Sequence, residues 1–209
     1  MIDLLLTPYQ FRFCPARYIN EEVVPLSLVR IATALPDWRH QARVNAWLLS
    51  EFALTVEYEL PASLGGLALY EQSLFERVLG YLGALLHGRA IRHTLCATQL
   101  RRVHRAVGEE GHRYCLEQLD VIIGRRPEGW QRPLPDGELA IALQHSGLGF
   151  WLFACGSHHD GFARRLILRL APCSVSADWQ LPEEQRSLAR MLCLKVARQV
   201  SPECTHLLK

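Results

Sequence analysis

The sequence predicts a mainly α fold, one compact multi-helix domain over residues 1–209, with a short β-hairpin or an extended N-terminal arm as its expected departure from helix. Three observations support this. Leu74, Phe75, Val78, Leu79, Leu82, Leu85 and Leu86 recur at spacings of three and four, which gathers large apolar side chains on one helix face. The run from Leu139 to Cys155 is apolar on nearly every side, the pattern of a helix enclosed by partners. Hydrophobic residues make up 49% of the 209, enough to bury a sizeable core and too many for a disordered chain. That length fits one domain, or at most two small ones.

Leu4 to Phe13 places Tyr9, Phe11 and Phe13 at period two, so an extended arm or strand is expected there, followed by a short helix from Pro15 to Ile19. Glu21 to Leu35 reads as a helix with Leu28, Ile31 and Leu35 inward and Pro25 near its start. Pro36-Asp37 opens another, with Trp38, Ala42, Leu48, Leu49 and Phe52 on its apolar side. A loop from Pro61 to Gly66 leads into the organising helix, about Leu69 to His87, where Gly88 offers a left-handed stop. Gly80 and Gly83 each cost that helix about 1 kcal/mol of propensity and would let a neighbouring helix come close.

After Gly88, a helix carries Leu95, Cys96, Leu100, Val103 and Val107 on one side and Arg101 and Arg105, flanked by Arg102, on the other. Gly108 and Gly111 are expected to interrupt it before a helix from Glu110 to Ile123, with Leu116, Leu119 and Ile123 inward. Gly124 to Pro135 is a turn-rich connection, and Asp136 a suitable N-cap for the apolar helix. Gly156 to Gly161 is a loop. Arg165 to Leu170 fits a strand, with Leu166, Leu168 and Leu170 alternating, as well as a short helix. Pro182-Glu183-Glu184 opens the last helix, with Leu188, Met191, Leu192, Val196 and Val200 buried, and Pro202 stops it.

The net charge of +2 is too small to imply nucleic acid by itself. No apolar run approaches the 18 residues or so of a membrane span. An acid, Asp3, stands where a signal peptide needs positive charge, so a cytoplasmic location is expected. Seven scattered cysteines with no Cys-x-x-Cys pair agree, and most should be buried small hydrophobes.

Chemistry is sparse. His158-His159-Asp160 could bind metal, but lacks ligand spacing from other elements and reads as a solvated loop. His145-Ser146 lacks a nucleophile elbow, and Gly147-Leu148-Gly149 lacks the third glycine of a dinucleotide turn. Trp130 reads as a core anchor or as an exposed interface residue.

Charge, by contrast, is segregated. Val44 to Glu76 holds Glu51, Glu57, Glu59, Glu71 and Glu76 with no Lys or Arg; Arg77 to Val107 holds six arginines and no acid. The two stretches either pair with each other within the fold or form two surfaces for charged partners.

Several pieces together resemble a known family: Phe11-Arg12-Phe13-Cys14-Pro15-Ala16 with Tyr18, Leu35-Pro36-Asp37-Trp38-Arg39, and Leu85-Leu86-His87-Gly88 followed by Ala90-Ile91-Arg92. Further on stand Ile123-Gly124, Trp130-Gln131-Arg132-Pro133-Leu134-Pro135, Ser146-Gly147-Leu148 with Phe150-Trp151-Leu152, and Cys204-Thr205-His206-Leu207-Leu208-Lys209. In order and along the whole chain they are similar to the K component of the type III secretion sorting platform, the YscK/PscK/SctK family. The arginine-rich composition points to the Pseudomonas form within it.

The resemblance implies a non-enzymatic cytoplasmic adaptor with no catalytic residue, metal or cofactor. It would sit at the cytoplasmic face of the inner membrane, held there by a protein partner and not by insertion. It would bridge the cytoplasmic forkhead-associated-like domain of the D ring protein to the Q pod protein, alongside the L stator and N ATPase. The resemblance assigns no interface residues; the segregated charge makes Arg101, Arg102 and Arg105 the candidate protein-binding residues. The alternative is a nucleic-acid-binding helical module using the same ridge, whose binding would weaken steeply with salt. A metal-dependent hydrolase using His158, His159 and Asp160 is a third reading.

Overall fold

A computed structural model describes residues 5–124, 126–156, 160–174 and 179–208. Among them are nine α-helices and no strand. The helices are α1 (Pro8–Phe13), α2 (Leu26–Ala34), α3 (Ala42–Glu51), α4 (Gln72–Leu86), α5 (Gly88–Arg92), α6 (Ala97–Gln118), α7 (Leu139–Cys155), α8 (Asp160–Ile167) and α9 (Arg186–Val200). Short 3-10 turns join several of them, and one from Pro202 to Leu208 follows α9.

α4 is the hub. Phe75, Val78, Leu79, Leu82, Leu85 and Leu86 are fully buried, as the three-four spacing predicts. The helix packs most extensively on α7, then on α6 and α9. α7 is wrapped by α4, α6 and α9, which explains its near-uniform apolarity. Its closest approach to α4 is backbone to backbone. A Cβ at Gly83 would lie 2.0 Å from the Leu143 carbonyl oxygen, and one at Gly147 would lie 2.2 Å from that of Leu79. Gly83 therefore serves the close approach expected of it, and Gly80, with nothing within 4 Å of its Cβ position, does not.

A second, smaller cluster of Ala16, Ile19, Leu28, Leu48, Leu54 and Leu168 forms the N-terminal layer. Polar side chains hold it together. The Asn45 Oδ1 accepts from the Ala16 N–H at 2.9 Å, and Arg39 donates to the Ala16 and Ile19 carbonyls at 2.7 and 3.1 Å. Two buried arginines stand near Leu168 of this layer in the chain and bond to α1 and the main core. Arg165 donates to the Arg12 carbonyl and lies over the Tyr58 ring. Arg169 donates to the carbonyls of Ala68 and Tyr70 and to Gln72 Oε1, and lies over the Phe75 ring. Among the described residues neither is ion-paired to a carboxylate, and there backbone carbonyls and ring faces carry the desolvated charge.

The expected extended arm is a helix. Thr7 Oγ1 accepts from the Gln10 N–H while the Gln10 side chain accepts from the Thr7 N–H, a capping box ahead of Pro8 at the first helical position. That cap, together with burial of Phe11 and the Tyr9–Phe13 ring contact at 5.0 Å, outweighs the period-two pattern. The strand option for Arg165 to Leu170 fails too, since this segment is the end of α8 and a following turn. Arg165, Leu166, Leu168, Arg169 and Leu170 are all buried, so the alternation there marks burial on several sides and not a pleat.

Smaller departures have equally local causes. α2 starts after Pro25, not near Glu21, and Asn20 caps a separate 3-10 turn at Glu21–Val23. Of its expected inward residues only Leu28 is buried; Ile31 and Leu35 stay partly exposed. Ala42 and Met191 are also exposed. Gly88 is not a left-handed stop: the chain turns at His87 and Gly88 begins α5, packed against Leu119. Gly108, at φ +72°, breaks α6, whereas Gly111 lies within helix where a Cβ would strike Tyr81. Glu138, not Asp136, precedes α7.

Candidate protein-binding surface

α6 presents the predicted arginines, and the structure separates them. Arg101 and Arg105 are exposed on one face, one turn apart. Arg102 is half-buried and donates to the carbonyls of Pro135 at 2.8 Å and Gly137 at 2.6 Å. It fastens the loop before α7 to α6, so it is a structural clamp, while Arg101 and Arg105 remain open to solvent.

The acidic and basic stretches do not neutralise each other. The ion pairs among the described residues are Arg39–Glu21, Arg92–Asp120 and Arg186–Glu183, and none joins residues 44–76 to 77–107. Glu51, Glu57 and Glu59 lie exposed, as do Arg77, Arg89, Arg92, Arg101 and Arg105. Both signs are available at the surface for association.

Apolar surface is also left uncovered. On α2, Leu26 is 86% exposed and Val29 43%; beyond it Leu35 is 45% exposed. Leu95, in the turn before α6, is 96% exposed. Sequence periodicity places Ile31 and Leu35 inward and Leu95 on the apolar side of its helix, because spacing registers which side chains share a face and not whether anything covers it.

The residues that suggested chemistry have structural partners. His87 is buried between the Pro133 carbonyl at 2.6 Å and Ser146 Oγ at 3.1 Å. Since the carbonyl can only accept, His87 Nδ1 donates to it, and Nε2 accepts from the Ser146 hydroxyl. Burial pushes this imidazole below its usual range, the Pro133 carbonyl partly opposing, so it is neutral at pH 7. His145 donates to the Ala171 carbonyl at 2.8 Å. Trp130 is a core anchor, fully buried and donating to Gln185 Oε1. His158 and His159 lie outside the described residues. Among the described residues, no group of three or more His, Cys, Asp and Glu could hold a metal ion, and no helix is long and apolar enough to cross a membrane. Cys115, Cys193 and Cys204 are buried free thiols, while Cys96 is exposed.

Residues 5–209 match the family model described as YOP proteins translocation protein K (YscK). The chain belongs to the YscK family. It is 42% identical over the full length of both chains to the Yop proteins translocation protein K of Yersinia pseudotuberculosis serotype I (strain IP32953), and likewise to that of Yersinia enterocolitica. It is also similar to a solved structure, the cytoplasmic domain of the type III secretion sorting platform protein PscK from P. aeruginosa. There the identity is 51% and the TM-score 0.80, covering 97% of this chain and 99% of the other. The resemblance read from the motifs is thereby shown. Within these YscK relatives the identity to PscK exceeds that to the Yersinia proteins, in line with the arginine-rich composition.

Proposed function

We propose that this YscK-family chain is a non-enzymatic cytoplasmic adaptor of the type III secretion sorting platform, acting as one helical domain over residues 1–209. The observation that carries the reading is similarity along the whole length to the cytoplasmic domain of PscK, a sorting platform protein. In this reading the chain bridges the cytoplasmic domain of the inner-membrane D ring protein to the Q pod protein. Through them it works with the L stator and the N ATPase, at the cytoplasmic face of the inner membrane and without inserting. An adaptor of this kind needs a rigid body and two separate surfaces. The α4–α7 core supplies the first. Exposed arginines, exposed acids and the uncovered apolar face of α2 are candidates for the second.

The test is co-purification of the chain with the matching Q protein and, separately, with the D cytoplasmic domain, each at low and high salt. Binding to both is expected, with one complex weakened by salt. Exchanging Arg101 and Arg105 together for Glu should weaken one partner and leave folding unchanged. If both partners bind as tightly as to wild type, these arginines are not an interface. If neither partner binds the wild-type chain, the bridging role is wrong; salt-sensitive capture of a nucleic-acid duplex instead would favour the nucleic-acid module.

A further inference from the structure

The break in α6 brings together two side chains that an unbroken helix would keep apart. His104 Nε2 and His112 Nδ1 lie 3.0 Å from each other, with ring centroids 4.8 Å apart and ring planes at 56°. The two residues stand on either side of Gly108, whose φ of +72° and ψ of 172° interrupt the helix. Eight residues of continuous helix rise about 12 Å and turn the second side chain about 80° from the first. Two imidazoles do not meet across that distance, so the contact exists because the chain bends at Gly108. The half after the break, 109–118, is locked to α4. A Cβ at Gly111 would lie 2.7 Å from the Tyr81 ring, the Tyr81 and Tyr114 rings are 5.1 Å apart, and Cys115 Sγ donates to the Ala84 carbonyl at 3.2 Å. The half before it, 97–107, buries Val103 alone, holds the loop before α7 through Arg102, and carries Arg101 and Arg105.

The bond that joins the two halves depends on protonation. In the neutral pair one facing nitrogen carries hydrogen and the other a lone pair, so one donates and the other accepts. One added proton leaves a donor and an acceptor. A second removes the acceptor, and two positive rings then confront each other at 3.0 Å. Neighbouring groups do not offset this. The elements packed most on α6 are α4, α7 and α5. They bring Glu76, Arg77 and Tyr81, then His145 and Cys155, then Arg89 and Arg92, and the loop that Arg102 holds brings Asp136 and Glu138. On α6 itself the nearest are Arg101, Arg102, Arg105, Glu109, Glu110 and Arg113. Among the described residues no carboxylate pairs with either ring, and the charge that acts on His112 is that of His104. Burial first, and that charge second, hold the His112 imidazole below its usual range. The bond is therefore kept above the unfolded value of 6.5 and lost as pH falls through the folded value.

We infer that the His104–His112 bond is an acid-released tie that sets the angle between the two halves of α6, and with it the presentation of Arg101 and Arg105 to a partner protein. The tie stands on geometry alone; the partner rests on the adaptor reading. Release moves the half before the break, because the half after it stays packed on α4. Gly108 serves as the hinge: glycine takes helical angles as readily as the left-handed ones it has, and nothing lies within 4 Å of its Cβ position to oppose the change.

NMR of the whole chain at constant ionic strength tests it, from about pH 7.5 to about pH 4.5, with far-UV circular dichroism alongside. The two imidazoles should titrate in two linked steps, the second below the usual histidine value of about 6.5. In that second step the amides of 97–107 should shift and exchange faster, and those of 109–118 should not. His112→Asn and His104→Gln each keep an uncharged hydrogen-bonding group where the facing nitrogen stands, and each should abolish the step in 97–107. Both positions are partly exposed, and either variant decides the matter should the other not fold. Absence of the step in 97–107, its persistence in a folded variant, or loss of every helix in the same step overturns the tie. Binding to the D cytoplasmic domain and to the Q protein is then measured on either side of the step. For the partner that needs Arg101 and Arg105, acid should weaken wild type at least about fivefold more than His112→Asn. Equal weakening overturns the link to the arginines. If the amide step appears while neither protein binds at any pH, the adaptor reading falls and the tie stands. Binding to both without the step retires the tie alone.

Discussion

Replacing Gly83 with alanine probes the contact on which the bundle depends. The added Cβ would lie 2.0 Å from the Leu143 carbonyl oxygen, 2.6 Å from its carbon and 2.9 Å from its Cα. Real Cβ contacts essentially never fall below 3.0 Å, so that oxygen must retreat by at least 1.0 Å. It belongs to the backbone of α7 and cannot rotate away, so α7 itself must move off α4. A gap of that size forfeits about a quarter to a half of each dispersion contact along the seam. Forced expansion of a packed core costs about 1–3 kcal/mol, and a backbone obstacle belongs at the upper end. Alanine returns about 1 kcal/mol of helix propensity, for a net loss of about 2 kcal/mol. For a chain of this size that is a drop in Tm of about 4–8 °C. Gly80→Ala is the internal control, one turn away on the same helix with nothing within 4 Å of its Cβ position. It should stabilise by about 0.5–1 kcal/mol. The assay is urea and thermal unfolding of both variants followed by far-UV circular dichroism. Equal stability of the two within about 0.5 kcal/mol would refute the reasoning, since the propensity change is common to both.

Three further predictions follow from single contacts. Arg102→Ala should lose about 1–3 kcal/mol, because the Pro135 and Gly137 carbonyls lose a charged donor, while Arg101→Ala and Arg105→Ala stay within about 0.5 kcal/mol of wild type; chemical denaturation separates them. His87 is held neutral in the fold with its pKa depressed, so its contribution to stability is present above the unfolded value of 6.5 and lost as pH falls through the folded value. His87→Gln should flatten the stability profile below pH 6.5, and an unchanged acid slope would contradict this. Cys96, exposed and held below the usual thiol range by the Gln99 and Thr98 N–H groups, should be alkylated first by maleimide in the native chain. Cys115, fully buried and pushed up to about 12 by burial, should react only on unfolding; mass spectrometry of timed aliquots reads the order.

How much of the surface was legible differs from residue to residue. Arg101 and Arg105 were correctly read as projecting from α6, because charge on one helix face is a local pattern. Arg102 looked equivalent to them, and its commitment to Pro135 and Gly137 arises only when a loop about 33 residues away folds over it. For α1 a signal was present and unused: Thr7-Pro8 with Gln10 spells a capping box, which the alternation of Tyr9, Phe11 and Phe13 concealed.

The sequence by itself determined that this chain is helical, that the segment from Leu74 to Leu86 lies at its centre, that Leu139 to Cys155 is enclosed, and to which family it belongs. Those properties reside in apolar spacing and in ordered short motifs, both of which survive without knowledge of neighbours. Tertiary structure alone decided which glycine admits a helix, which arginines are clamps and which are free, and which apolar faces stay bare. Gly80 and Gly83 have the same local chemistry; only the path of α7 distinguishes them. Nothing local in the sequence marks Arg165 and Arg169 as buried; only in the fold do the carbonyls of Arg12, Ala68 and Tyr70 replace water as their partners. Contacts of that kind join residues far apart in the chain, so their energies are fixed by where elements meet and not by the residues that compose them.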